Sequence, residues 1–322
     1  MDVYRHLNDM PAQGAPSVVT LGNFDGVHTG HIAVLKTVVD YAQQHGLRSV
    51  AISFDPHPAR VHRPEVSLEE IMGQDDRQIF LEEVGIEHYL LMEYTHDFSL
   101  QSPEEFVEST FVHSLNAKYV VIGEDVRFGR NNSGDLATMR QLGQRYGFEV
   151  VTVADLKTDD GERVSSTRIR ELLAHGKVHQ AAKLLGRPHR MRGEIVHGVA
   201  RGRLLGFPTA NMSADAEGFI PADGVYAGWL IDEAGTRHPV ATSVGTNPTF
   251  EGITRRQVEA HVLGRPEEPI EDFNLYGQHV VLEFTEHLRD MVAYTGVDAL
   301  IEQISQDVID AQRVLFEEEA SS

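Results

Sequence analysis

Two histidines three residues apart, His28 and His31, sit in the run Gly22-Asn23-Phe24-Asp25-Gly26-Val27-His28-Thr29-Gly30-His31. Such a run, placed between a strand and a helix, suits an anion. Its glycines allow a tight turn and let a phosphate approach the backbone. The first turn of the helix offers unpaired N–H groups and a partial positive charge. Imidazoles at i and i+3 share a face, and their ring nitrogens can donate to a phosphate oxygen whose charge grows in a transition state. Two other readings use fewer of these residues. The turn could simply cap a helix with incidental histidines. The pair could also bind zinc, but no third ligand is indicated and the spacing suits a helix start better.

A second group lies between Gly193 and Asn211: Gly193-Glu194-Ile195-Val196-His197-Gly198-Val199-Ala200-Arg201-Gly202-Arg203-Leu204-Leu205-Gly206-Phe207-Pro208-Thr209-Ala210-Asn211. A loop rich in glycine and arginine can fold over phosphates, with backbone N–H groups and guanidinium groups as donors. Thr209 and Asn211, two apart on a strand, share a face. Both are hard oxygen ligands of the kind magnesium takes, with water and phosphates completing the octahedron. A flexible hairpin followed by an ordinary strand is the structural alternative.

Elements must hold these groups in place. Residues 17–22 read as a buried strand, and Ile32, Leu35, Val39 and Ala42 follow helical spacing up to Gly46. Further strands are expected at residues 48–54, 89–92, 119–123 and 148–153, separated by helical stretches. One of these helices starts plainly, with Ser102 as N-cap, Pro103 at the first position and Glu105 three residues after the cap. This alternation predicts a parallel sheet with right-handed crossovers and a ligand beyond the carboxyl ends of its strands. Arg187-Pro188 marks a change of texture. From residue 191 to about 288, short glycine-punctuated β-forming runs predict a small antiparallel barrel. From Val297 the chain is helical again, with Leu300, Ile301, Ile304, Val308 and Ala311 on one face.

The 322 residues exceed a usual single core, so two domains are expected, at 1–186 and 187–322. The net charge of −21 is opposite to that of a duplex nucleic-acid binder, so no nucleic-acid partner is expected. No apolar run reaches membrane-spanning length, so no membrane partner is expected either. With no cysteines, disulfides and thiolate metal sites are excluded. Residues 1–10 lack a basic start followed by an apolar stretch, and a cytoplasmic location is the expectation.

His28-Thr29-Gly30-His31 resembles the His-x-Gly-His signature of nucleotidylyltransferases. The longer run resembles the opening of the bifunctional riboflavin kinase/FMN adenylyltransferase (FAD synthetase) family. Asp55-Pro56-His57-Pro58, Gly123-Glu124-Asp125-Val126-Arg127-Phe128-Gly129 and Ser165-Ser166-Thr167-Arg168-Ile169-Arg170 match in family order. The 193–211 stretch, residues 243–250 and Gln257-Val258-Glu259-Ala260-His261 are similar to riboflavin kinase segments; Asn274-Leu275-Tyr276-Gly277 also matches but reads equally well as a turn.

The resemblance covers residues 17–315 or so. It implies an α/β nucleotidylyltransferase domain followed by a six-stranded barrel kinase domain. ATP, riboflavin and FMN would be substrates, FAD the final product and Mg2+ the metal. His28 and His31 would steady the α-phosphate of ATP. Ser165, Ser166, Thr167 and Arg168 would hold the leaving phosphates; helix-capping hydroxyls and a bidentate guanidinium suit that task, as they would a plain solvated helix start. Gly22, Asn23, Phe24, Asp25, Asp125 and Phe128 would lie near nucleotide or flavin. Gly198, Arg203, Gly206 and Pro208 would shape the second nucleotide site, Thr209 and Asn211 would hold the metal, and Glu259 would be the general base. Asp55-Pro56-His57-Pro58 fits a ligand contact and a rigid turn equally. One departure is Val126, where the family carries an aromatic; Phe128 is then the ring left for flavin stacking.

Two other functions stay open on sequence. One is a nucleotidylyltransferase with a different phosphate acceptor, which leaves the 193–211 stretch unexplained. The other is a nucleotide- or flavin-binding module without turnover, which leaves His28, His31, Arg168, Thr209, Asn211 and Glu259 unexplained.

Overall fold

The computed structural model describes residues 1–10, 14–65, 68–158, 161–198, 206–246, 256–264, 274–292, 294 and 296–319. They form two compact units, residues 1–69 with 74–165, and residues 70–73 with 166–322.

In the first unit a six-stranded sheet runs β1 (Asp2–Tyr4), β4 (His88–Glu93), β3 (Arg48–Asp55), β2 (Ser17–Leu21), β5 (Ala117–Gly123), β6 (Glu149–Val153) in spatial order, each pair parallel. The central strands are buried on both faces, which is why β2 reads as an unbroken run rather than an alternating one. Helices α1 (Thr29–His45), α2 (Pro58–His62), α3 (Gln74–Val84), α4 (His96–Ser99), α5 (Pro103–Phe106) and α6 (Leu136–Tyr146) connect them. Helix α1 buries Leu35, Val38 and Ala42, and Gly46 ends it in the left-handed region at φ 63°. The expected capping box is present: Glu105 N–H donates to Ser102 Oγ at 3.2 Å, and Ser102 N–H to Glu105 Oε2 at 2.8 Å. Beyond α5 the chain continues as a π-helical segment, Val107–Ser114. Chain order runs outward from β2 in both directions, so the switch in topology falls between β2 and β5. That is the place where open α/β sheets bind ligands.

The second unit opens with α7 (Ser166–Ala174) and α8 (Val178–Leu185), and Gly186 caps α8 at φ 76°. Six strands then close into an antiparallel barrel in the order β10 (Arg237–Thr246), β11 (Arg256–Val262), β8 (Thr209–Met212), β7 (His189–Val196), β12 (His279–Arg289), β9 (Gly224–Ile231). Helix α9 (Val297–Glu319) lays Ala311 and Leu315 on Ala227, Trp229, Ala241 and Leu263. Arg289 joins β12 to α9 through two 2.7 Å hydrogen bonds to buried Asp307. The architecture expected from the sequence is thus the one observed, including the six-stranded closure.

Candidate active site

The 22–31 run links β2 to α1 at the sheet's switch point. Gly22 N–H donates to Ile52 O at 3.0 Å, and Ser53 Oγ donates to Asn23 O at 3.3 Å, so both ends of the turn's start are pinned to β3. Phe24, Gly26 and Val27 carry positive φ (50°, 84° and 34°). The turn therefore stores backbone strain, which persists only where the surroundings fix the conformation. Phe24 and Asp25 are 2 % exposed; they shape the turn from beneath. The Phe24 ring meets His31 edge-on at 5.5 Å.

His28 caps α1: its Nδ1 accepts from His31 N–H at 3.2 Å. Because Nδ1 is an acceptor there, a neutral His28 carries its proton on Nε2, which makes that atom a donor. The His28 and His31 rings stack at 3.6 Å with 15° between their planes. Gly30 leaves the stack room, since a Cβ at that position would lie 3.2 Å from the His28 ring. The spacing thus yields two imidazoles in one preset stack at a helix N-terminus, where an anion is favoured.

Other expected residues of this site are placed as follows. His57 caps α2, with its Nδ1 accepting from Ala59 N–H at 3.1 Å, which gives Asp55-Pro56-His57-Pro58 a structural role. A cleft of about 360 Å³ lined by Arg5, His6, Asp55, Pro56 and Glu93 opens beside it at the carboxyl ends of β1, β3 and β4. Asp125 follows β5 across the switch point and pairs with Arg163, which also bridges to Asp155 at 2.9 Å. That pairing raises the Arg163 pKa, chiefly through the hydrogen bond to Asp125. Phe128 is 4 % exposed, packs with Phe106 at 6.4 Å and covers Gly134, where a Cβ would come within 2.8 Å. Val126 packs against the same core. Ser165 directly precedes α7, whose first residues are Ser166, Thr167 and Arg168; Arg168 also reaches Glu171 at 3.3 Å.

In the barrel unit, the register of β8 on β11 sets Asn211 opposite Glu259 and Thr209 opposite His261. Ala210, Met212, Val258 and Ala260 turn inward and are buried, so Thr209, Asn211, Glu259 and His261 share the outer face. Thr209 Oγ1 donates to Glu259 Oε2 at 3.4 Å, and Asn211 Nδ2 donates to Thr209 O at 3.3 Å. A hydroxyl that gives its proton to a carboxylate keeps its lone pairs for another partner.

Gly198 lies against Asn211, where a Cβ would come 2.5 Å from the amide group. A Gly198→Ala protein is therefore expected to displace the Asn211 side chain. Its thermal midpoint should change little, as checked by a melt, because the displaced group is the end of a flexible side chain.

Gly206 takes φ 86° two residues before Pro208, which leads into β8. Arg203, and residues 247–250 of the 243–250 stretch, lie outside the described residues. Sequence reasoning gave no role to His261. Its signal was its place two residues after Glu259 on a strand, which puts both on one face. Among the described residues no group of three or more His, Cys, Asp or Glu could hold a metal. Thr209, Asn211 and the nearby carboxylate offer a hard, oxygen-rich edge, which suits a cation completed by phosphates and water.

Comparison with known proteins follows the same division. The family described as FAD synthetase matches residues 10–168, and the one described as riboflavin kinase matches residues 185–315. The chain is 30 % identical over 307 residues to the bifunctional riboflavin kinase/FMN adenylyltransferase of Escherichia coli K12, covering 95 % of each chain. It is 32 % identical over 296 residues to the protein so named from Listeria monocytogenes, covering 92 % of this chain and 91 % of that one. Among solved structures, a Streptococcus pneumoniae protein described as a macrolide-efflux protein superposes with a TM-score of 0.85 at 30 % identity, covering 97 % of this chain and 98 % of that chain. Among the described residues, no helix is long and apolar enough to cross a membrane.

Proposed function

The chain belongs to the bifunctional riboflavin kinase/FMN adenylyltransferase family, and from that premise we propose how its own residues divide the two reactions. It phosphorylates riboflavin to FMN with its C-terminal domain and adenylylates FMN to FAD with its N-terminal domain. The domains are assigned as residues 1–186 and 187–322.

In adenylylation an FMN phosphate oxygen attacks the α-phosphorus of ATP, the bond to the β-phosphate oxygen breaks, and pyrophosphate leaves. The protein positions the reactants and stabilises charge. His28 and His31 donate to the α-phosphate; the stacked pair at the N-terminus of α1 is the observation that carries this assignment. Gly22, Asn23, Phe24 and Asp25 form the turn that receives the nucleotide, and Asp125 stands near nucleotide or flavin. The pyrophosphate oxygens are the task of Ser165, Ser166, Thr167 and Arg168.

In phosphorylation the ribityl 5′-oxygen attacks the γ-phosphorus of ATP, its proton passes to Glu259, and ADP leaves. Thr209 and Asn211 hold Mg2+, and Gly198, Arg203, Gly206 and Pro208 border the phosphates. A bound magnesium neutralises charge on the transferring phosphates. The acidic chain acts on small molecules, with no nucleic-acid or membrane partner, in the cytoplasm.

Labelled ATP tests the division. Label in the γ-phosphate is expected first in FMN, and label in the α-phosphate in FAD alone. Label from the α-phosphate in FMN would overturn it.

A further inference from the structure

Strand β8 is four residues long and is held unevenly. Its far end pairs with β7 at Asn211 and Met212, whereas among the described residues Thr209 pairs with β11. The residue before it is Pro208, which has no N–H, and the ladder with β11 stops at the Thr209–His261 pair. The next carbonyl, that of Pro208, is taken by a side chain: His261 Nδ1 lies 2.9 Å from it. A carbonyl oxygen only accepts, so Nδ1 carries the proton and donates. The Phe207 ring stands edge-on to the His261 ring at 5.4 Å, fixing its orientation from the same segment. Burial lowers the His261 pKa, with the Pro208 hydrogen bond opposing it.

We infer that His261 is a positioning residue for phosphoryl transfer: it extends the β8–β11 ladder by one side-chain hydrogen bond and so fixes the backbone that places Thr209. The inference rests on Thr209 as a magnesium ligand. It assigns His261 no contact with substrate or metal. Without the imidazole, the entry of β8 must be ordered when the metal binds, and one hydrogen bond of ordinary strength changes an equilibrium by about two- to tenfold.

The test uses the full-length chain carrying His261→Ala, His261→Asn or Thr209→Val. The Asn amide can place a donor where Nδ1 stands. For His261→Ala, the magnesium concentration for half-maximal phosphorylation should rise about two- to tenfold. Its kcat at saturating magnesium should stay within about twofold, below the weakest loss expected from one hydrogen bond, and its FMN adenylylation should be unchanged. Without metal, hydrogen exchange at the amides of Thr209, Ala210 and Asn211 should be faster. His261→Asn should restore both the magnesium requirement and the exchange protection. Unchanged magnesium dependence in His261→Ala, or an Asn variant as impaired as the Ala variant, overturns the inference. Thr209→Val separates the two readings. If it raises the magnesium requirement while His261→Ala does not, only the role of His261 falls. If Thr209→Val leaves the requirement unmoved, the metal assignment falls and takes this inference with it.

Discussion

The His31→Ala protein is expected to lose FAD formation from FMN by about 100- to 1,000-fold while phosphorylating riboflavin at the normal rate. That magnitude is typical of removing one preorganised donor from a developing oxyanion. The structure gives two reasons for an effect at the strong end. The His31 ring lies 3.6 Å from that of His28, so its removal also frees the ring that carries the neighbouring donor. It also contacts Phe24, one of three positive-φ residues in the turn, so a support of the strained backbone goes with it. Phosphorylation is spared because Thr209, Asn211 and Glu259 stand on a separate barrel. The measurement is a pair of initial rates on one preparation, FMN to FAD and riboflavin to FMN. Equal loss of both would contradict two independent sites.

Glu259→Ala should give the reverse pattern, with riboflavin phosphorylation reduced about 100- to 10,000-fold, the usual range for a positioned general base. The carboxylate accepts from Thr209 Oγ1 at 3.4 Å, so alanine removes the group assigned as base and also the hydrogen-bond partner of the hydroxyl assigned to magnesium. Glu259→Gln separates these effects. An amide oxygen can still accept from Thr209 but takes no proton at neutral pH, so kcat should fall while the magnesium requirement changes less. A Glu259→Ala protein that makes FMN at the normal rate would remove this residue from the base role.

Much of this arrangement is legible in the sequence. Strand β2 is readable because a strand buried on both faces shows no alternation of apolar with charged residues. Helix α1 was readable from its spacing and its terminal glycine, and α5 from Ser102, Pro103 and Glu105. The imidazole pair was visible because i and i+3 meet at a helix start. Period 2 put Thr209 and Asn211 on one face. What failed lacked a local signal. Strand β1 has three residues and no apolar run, and it exists because the edge of β4 accepts it. The packing of Phe128 over Gly134 likewise has no local signature. That His57 caps α2 through Nδ1 shows only in the fold. Period 2 puts His261 on the face of Glu259, but its hydrogen bond to Pro208 O, 53 positions away in sequence, shows only in the fold.

The central claim is that one chain carries both reactions in series. The most direct measurement is a time course of the purified protein with riboflavin, ATP and magnesium, with the flavins separated by chromatography. FMN should appear first and FAD should follow at its expense. FMN that accumulates without FAD, or a protein that converts neither riboflavin nor added FMN, would contradict the account.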